Sequence, residues 1–196
     1  MPILGVIDSA KSGHLWPANS YYQIATTTVG SGSAADITFS SIPATYTHLQ
    51  IRGIARSTNG SINGISVNMQ FNSDTNTNYS QHYLGTYQGA GSATESVGAA
   101  NTSSIYIGAI PNDGLMASLY SGHTIDILDY KDTNKYKTVR SLSGYDFNGA
   151  TTGYSYLNLH SGNWRNGNAI TSIKLYGASG NFMQYSSFAL YGIKVS

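Results

Sequence analysis

The 196-residue chain contains no cysteine. Disulfide staples, Cys-ligated zinc, iron–sulfur clusters and thiol catalysis are therefore excluded. Charge is scarce too: 10% of residues are Asp, Glu, Lys or Arg, against about 25% in an average soluble domain. Ten bases and nine acids leave a formal net charge of +1. Such a surface has no electrostatic footprint for nucleic acid or an anionic membrane. No apolar run approaches the roughly 18 residues of a membrane span. The opening run Met1–Ile7 is too short for a secretory h-region and has no Lys or Arg before it, so no export signal is expected. Heptads, hexapeptide repeats and internal duplications are missing, which excludes a long fibre shaft within this chain.

What the chain has instead is 22 glycines and 16 tyrosines. Tyrosine fits a pleated, half-buried surface, and glycine serves bulges and turns. Tyrosine also suits interfaces, being apolar at the ring and polar at the tip. Weak self-repulsion tolerates dense packing against neighbouring copies. A chain of this length can bury roughly 70% of the surface its unfolded form exposes, so it needs no metal or disulfide to hold a core.

Residues 1–20 differ from the rest. An apolar head (Ile3, Leu4, Val6, Ile7) is followed by Ser9, Lys11, Gly13 and His14, then by Leu15, Trp16 and Pro17. No clear period runs through them. A tail or a first strand would fit, but an apolar head with a tryptophan is a liability in water. The segment is therefore read as an arm that docks on a partner subunit.

From Tyr21 onward the chain is a series of short alternating runs. Tyr21–Val29 ends at Gly30-Ser-Gly-Ser33, a hairpin connection to Ala35–Phe39. His48–Arg52 alternates strictly. In Ile65–Phe71 the residues Ile65, Val67, Met69 and Phe71 fall on one face, the cleanest half-buried strand in the sequence. Tyr79–Tyr87 follows, then a Gly/Ala/Ser/Thr-rich stretch over 88–104 that reads as a loop or a glycine-rich edge. Ile105–Ile110, Thr124–Tyr130, Tyr136–Leu142, Tyr154–Leu159, Ile170–Tyr176 and Phe188–Val195 complete about ten strands, with turn signals at uneven spacing. Met116–Tyr120 allows one turn of helix at most. The expected fold is all-β: an antiparallel β-sandwich, jelly-roll-like, over residues 21–196, behind the arm at 1–20.

Constellations for catalysis are weak. Asp126, Asp129 and Asp132 cluster with His123, but on a strand His123 and Asp129 lie roughly 20 Å apart, outside general-base reach, and Asp126 points to the other face. His14, His48, His82, His123 and His160 form no HxH or HExxH pair. No GxSxG elbow, P-loop or strand–GxGxxG–helix is present. Asn72, Asp74, Asn76 and Asn78 place oxygens at every second residue, as calcium loops do, but with one carboxylate, Thr77 at the sixth position and no Glu at the twelfth. A solvated hairpin tip is the better reading, and no metal or other cofactor is expected. Carbohydrate contact needs aromatic platforms beside amides. Tyr83, Tyr87, Tyr154, Tyr156 and Trp164, near Gln81, Gln88, Asn158 and Asn163, are the candidates.

Four segments resemble a family of tailed-bacteriophage virion structural proteins, tail-fibre-like or capsid-decoration-like. They are Met1-Pro-Ile-Leu-Gly-Val-Ile with Ser12-Gly-His-Leu; Ile37–Arg56 with Phe39-Ser-Ser-Ile-Pro43; Phe71-Asn-Ser-Asp with Asn78-Tyr79 and His82; and Gly180–Ile193, with Asp129-Tyr130 and Asn134-Lys-Tyr-Lys-Thr138. The resemblance covers nearly the whole chain. It implies a β-sandwich virion component, made in the host cytoplasm and carried on the virion surface. It also implies a homotrimer held to major capsid or tail proteins, and no catalytic residues. One short arm plus one domain makes a knob, which favours capsid decoration (a head fibre) over a tail fibre. The alternative is a tail-fibre or receptor-binding module for host surface carbohydrate. Neither nucleic acid nor membrane insertion is expected.

Overall fold

The computed structural model describes residues 21–60, 63–88, 92–147 and 154–194. The expected arm, with Ile3, Leu4, Val6, Ile7, Leu15 and Trp16, lies outside the described residues. Fourteen strands form among those described. They are β1 (Tyr21–Thr28), β2 (Ser33–Ala34), β3 (Asp36–Phe39), β4 (His48–Ala55) and β5 (Ile65–Phe71). Next come β6 (Tyr79–Gln88), β7 (Ser92–Thr102), β8 (Ile105–Ile110), β9 (Ser121–Leu128) and β10 (Lys137–Tyr145). The last are β11 (Ser155–Trp164), β12 (Ile173–Gly177), β13 (Phe182–Met183) and β14 (Ser187–Ile193). No helix forms among the described residues; Met116–Leu119 closes only a turn, Leu119 N donating to Met116 O.

An eight-stranded antiparallel sheet, in the order β1-β14-β4-β9-β10-β11-β6-β7, faces a four-stranded sheet, β3-β12-β5-β8. Their inner faces hold one apolar cluster. Leu49 and Ile51 of β4, Ile125 and Ile127 of β9 and Leu190 of β14 meet Val67, Met69 and Phe71 of β5 and Leu175 of β12. The alternation expected in β5 is found, with Ile65, Val67, Met69 and Phe71 all buried. The fold is thus the expected sandwich; the strand order does not by itself establish jelly-roll connectivity.

Two local expectations change, and an open one is decided for the edge. Gly30–Ser33 is no hairpin connection: β1 pairs with β14 at the edge of the large sheet, while β3 pairs with β12 in the small one. Alternation identifies strands but not their partners, which long-range contacts choose. Part of the 88–104 stretch becomes β7, whose small residues make the far edge of the large sheet. The Asn72–Asn78 segment is not a hairpin tip either. It carries the chain from β5 in the small sheet to β6 in the large one.

Gly108 shows how closely the sheets approach. Its φ of +144° sits at the bulge where β8 shifts register against β5, and an added Cβ would lie 2.1 Å from Ser143 Oγ of β10. Only a residue without a side chain allows both the backbone angle and the contact.

Candidate functional site

The chemistry-bearing residues fall into four places, and two of them prove structural. The first is the crossing at 72–78. Burial works against the charge of Asp74, but its carboxylate accepts N–H bonds from the Asn78 and Asn76 side chains, the Asn76 backbone and Trp164 Nε1, which together lower its pKa to about 2. Asn72 Oδ1 in turn accepts from the backbone N–H groups of Thr171 and Ser172. Two of the groups that resembled calcium ligands, the Asp74 carboxylate and Asn72 Oδ1, are thus committed to N–H donors.

Trp164, expected to contact sugar, is a core residue. It is fully buried, with its ring 5.5 Å from Phe71 and 6.2 Å from Tyr79. Strand period explains the correction: Trp164 pairs with Tyr79 and Lys137 on the inner face, and its indole N–H reaches Asp74 at 2.9 Å.

The second place is the acidic cluster. Asp126 lies on the outer face, bonded to Gln50 and Arg140, whereas His123 is buried on the inner face. Asp129 and Asp132 do approach one another, because Lys135 Nζ reaches both, at 2.7 and 3.4 Å. The Asn134 backbone N–H, with Lys135 beside it, lowers the pKa of Asp132. A glycosidase acid needs a raised one, so this pair is built as an ion-paired turn. Lys137 caps the same turn from inside, fully buried, with its ammonium donating to the backbone carbonyls of Asp132 and Lys135 at 2.6 Å. Among the described residues no three His, Asp or Glu side chains gather as a metal site would require.

The third place is the outer face of the large sheet, where β10, β11 and β6 are built inside out. Leu142, Leu159 and Leu84 are directly opposed and form one row across the three strands, at 52%, 48% and 54% exposure. Leu157 and Ile54 extend the apolar surface, with a trough of about 620 Å³ between them. On the inner side of the same strands sit Ser141, Ser143, Asn158 and His160, all buried. His123 and Ser121 of β9 continue this polar strip, Ser121 Oγ lying 2.7 Å from His123 Nε2. Burial pushes His123 down to about pKa 3, helped by nearby His160, and His160 down to about 4.

The fourth place lies at the end of that strip. The small sheet stops at β8, which packs on β10 and β11, while β6 and β7 continue beyond it. Val97 of β7, paired with Tyr83 and so on the inner side, is 46% exposed. In the space beside β8 the structure gathers Tyr83, Tyr87, Tyr154 and Tyr156, four of the five expected sugar-contact residues, around a cavity of about 380 Å³. It adds two that the sequence reading missed, Tyr106 of β8 and Glu95 of β7. Tyr87, Tyr154 and Tyr156 touch one another, with centroids 5.4 to 6.2 Å apart. Tyr83 meets Tyr106 edge-on at 5.4 Å and donates its hydroxyl to Glu95 at 2.9 Å. Burial, with Glu95 next, raises the pKa of Tyr83, and burial raises those of Tyr106 and Tyr156. All three phenols are thus protonated donors at neutral pH. The signal for Glu95 was its being the chain's single glutamate; Tyr106 had none, because its strand reads as core.

Comparison of the chain with family models, curated proteins and solved structures finds no match.

Proposed function

We propose that this protein is a non-enzymatic bacteriophage virion component that assembles, as a trimer, through the outer face of its large sheet and decorates the capsid as a surface knob. The observation that carries this reading is the inverted pattern of β10 and β11, leucines outward and Ser, Asn and His inward. A solvent-facing sheet surface normally carries the polar residues. A contiguous exposed apolar surface of this kind marks a contact with another protein. A second copy is the fitting occupant, because a net charge of +1 sets up little repulsion between identical chains. The virion context is supported by the four sequence segments that resemble phage structural proteins. The ion-paired acids at 129 and 132 support a non-catalytic role.

Sedimentation of the full chain tests the assembly. The wild type sediments with the mass of three chains, and Leu142→Lys/Leu159→Lys sediments as a monomer with unchanged circular dichroism. A wild-type monomer at every concentration, or a trimer indifferent to both lysines, overturns the proposal. Particle microscopy with a label on this chain then places it on the capsid lattice or, in the second reading, on a tail fibre where the tyrosine-lined cavity meets host surface carbohydrate.

A further inference from the structure

We infer that the cleft between β8 and the β6–β7 overhang is a binding site for an uncharged saccharide. This deepens the carbohydrate reading, and it stands or falls independently of assembly, because the cleft is on the inner side of β6 and β11 while the leucine row is on the outer.

A pyranose ring has an apolar C–H face and a rim of hydroxyls. Its complement is a set of aromatic rings with polar tips and at least one strong acceptor. The cleft supplies both. Tyr87, Tyr154 and Tyr156 form one contiguous aromatic wall, each of them half-buried, so their rings are held by neighbours yet still face the opening. Glu95 supplies a carboxylate able to accept from two sugar hydroxyls, and Tyr83 holds it in place through a 2.9 Å hydrogen bond. The cavity of about 380 Å³ lies within the range of small-molecule sites, about 300–1,000 Å³.

The charge of the lining selects the ligand. Among the described residues no Lys, Arg or His borders the cavity, and Glu95 is its one carboxylate. A phosphate, sulfate or uronate would meet a carboxylate with nothing to offset it. Acidic glycans are therefore excluded.

The test is an array of immobilised neutral, amine-bearing, sialylated and sulfated glycans, probed with the full chain. Titration calorimetry with the strongest neutral glycan follows. Binding confined to neutral glycans is expected, with affinity falling about tenfold or more in Glu95→Gln and in Tyr154→Ala. Neither side chain belongs to the core, and melting curves verify that both variants fold. Leu142→Lys/Leu159→Lys keeps the titrated affinity, which separates this site from the assembly face. Absence of any neutral binder, preference for acidic or amine-bearing glycans, or unchanged affinity in both cleft variants overturns the inference.

Discussion

β5 and β11 belong to the same sandwich and obey the same two-residue period, yet they use it in opposite ways. β5 sends Ile65, Val67, Met69 and Phe71 inward. β11 sends Asn158 and His160 inward and leaves Leu157 and Leu159 outside. The difference divides the molecule into two regions. Around β4, β5, β9 and the Trp164 end of β11, stability comes from a dry apolar cluster. From His123 to Asn158 the interior is polar, and several of its groups are only partly satisfied: His123 Nδ1, Ser143 Oγ and His160 Nε2 lack hydrogen-bond partners. Folding therefore rests on the first region, and the second accepts a weaker interior while presenting apolar surface outward. Such an exchange leaves outward the apolar face through which the trimer is proposed to form.

Acid is the strongest way to break the symmetry between the two regions, because it acts on the polar one. His123 and His160 are held neutral, with folded pKa values of about 3 and about 4 against 6.5 for a free imidazole. Below pH 6.5 the unfolded chain takes up protons that the folded chain refuses, so stability is complete above 6.5 and lost as pH falls. Each histidine costs about 1.4 kcal/mol per pH unit, or about 5 kcal/mol for the pair between pH 6.5 and 4.5. That window lies above the carboxylate range, so the imidazoles dominate it. Urea unfolding at pH 7 and 4.5 measures the loss, and His160→Asn should remove about half of it.

The apolar region has its own test in Trp164. Replacing it with Ala empties the space between Phe71 and Tyr79 and removes one of the two N–H donors to Asp74 Oδ2, leaving Asn78 Nδ2. The expected loss is about 3–5 kcal/mol, read as a drop in the denaturation midpoint, relative to wild type, of the same size at pH 7 and pH 5.5. A loss that grew on acidification would mean that the two regions are not separable.

The sequence carried this division only in part. Strand positions were legible, because alternation such as Ile65-Ser-Val-Asn-Met-Gln-Phe71 is a local property. The partner of β1 was not, since Gly30–Ser33 has the chemistry of a hairpin while the pairing with β14 depends on residues about 160 positions away. Tyr83, Tyr87, Tyr154 and Tyr156 are legible as aromatics near amides, and they converge because β6 and β11 are neighbours. Trp164 matched the same rule and failed it, because composition does not state which side of a strand faces the core. The inversion of β10 and β11 hid for a related reason. Ser-Leu-Ser and Leu-Asn-Leu are equally regular whichever face is buried, and only the position of β8 over Ser141, Ser143 and Asn158 decides it.

The smallest effects follow from that decision, and they run against ordinary expectation. Leu159 is 48% exposed, so Leu159→Thr, measured in a Leu142→Lys background at a concentration where sedimentation finds single chains, should change unfolding free energy by no more than about 0.5 kcal/mol. Ser143 is buried and its hydroxyl is unpaired. Ser143→Ala removes a desolvated group at little loss of packing and should stabilise by roughly 0.5–1 kcal/mol. Chemical denaturation of the two variants side by side measures both. A leucine deletion that costs nothing, next to a serine deletion that helps, is the pattern a strand gives when its polar side faces the core. The reverse pattern would mean that Leu159 is already covered within a single chain, and the outer face would then have no need of a second copy.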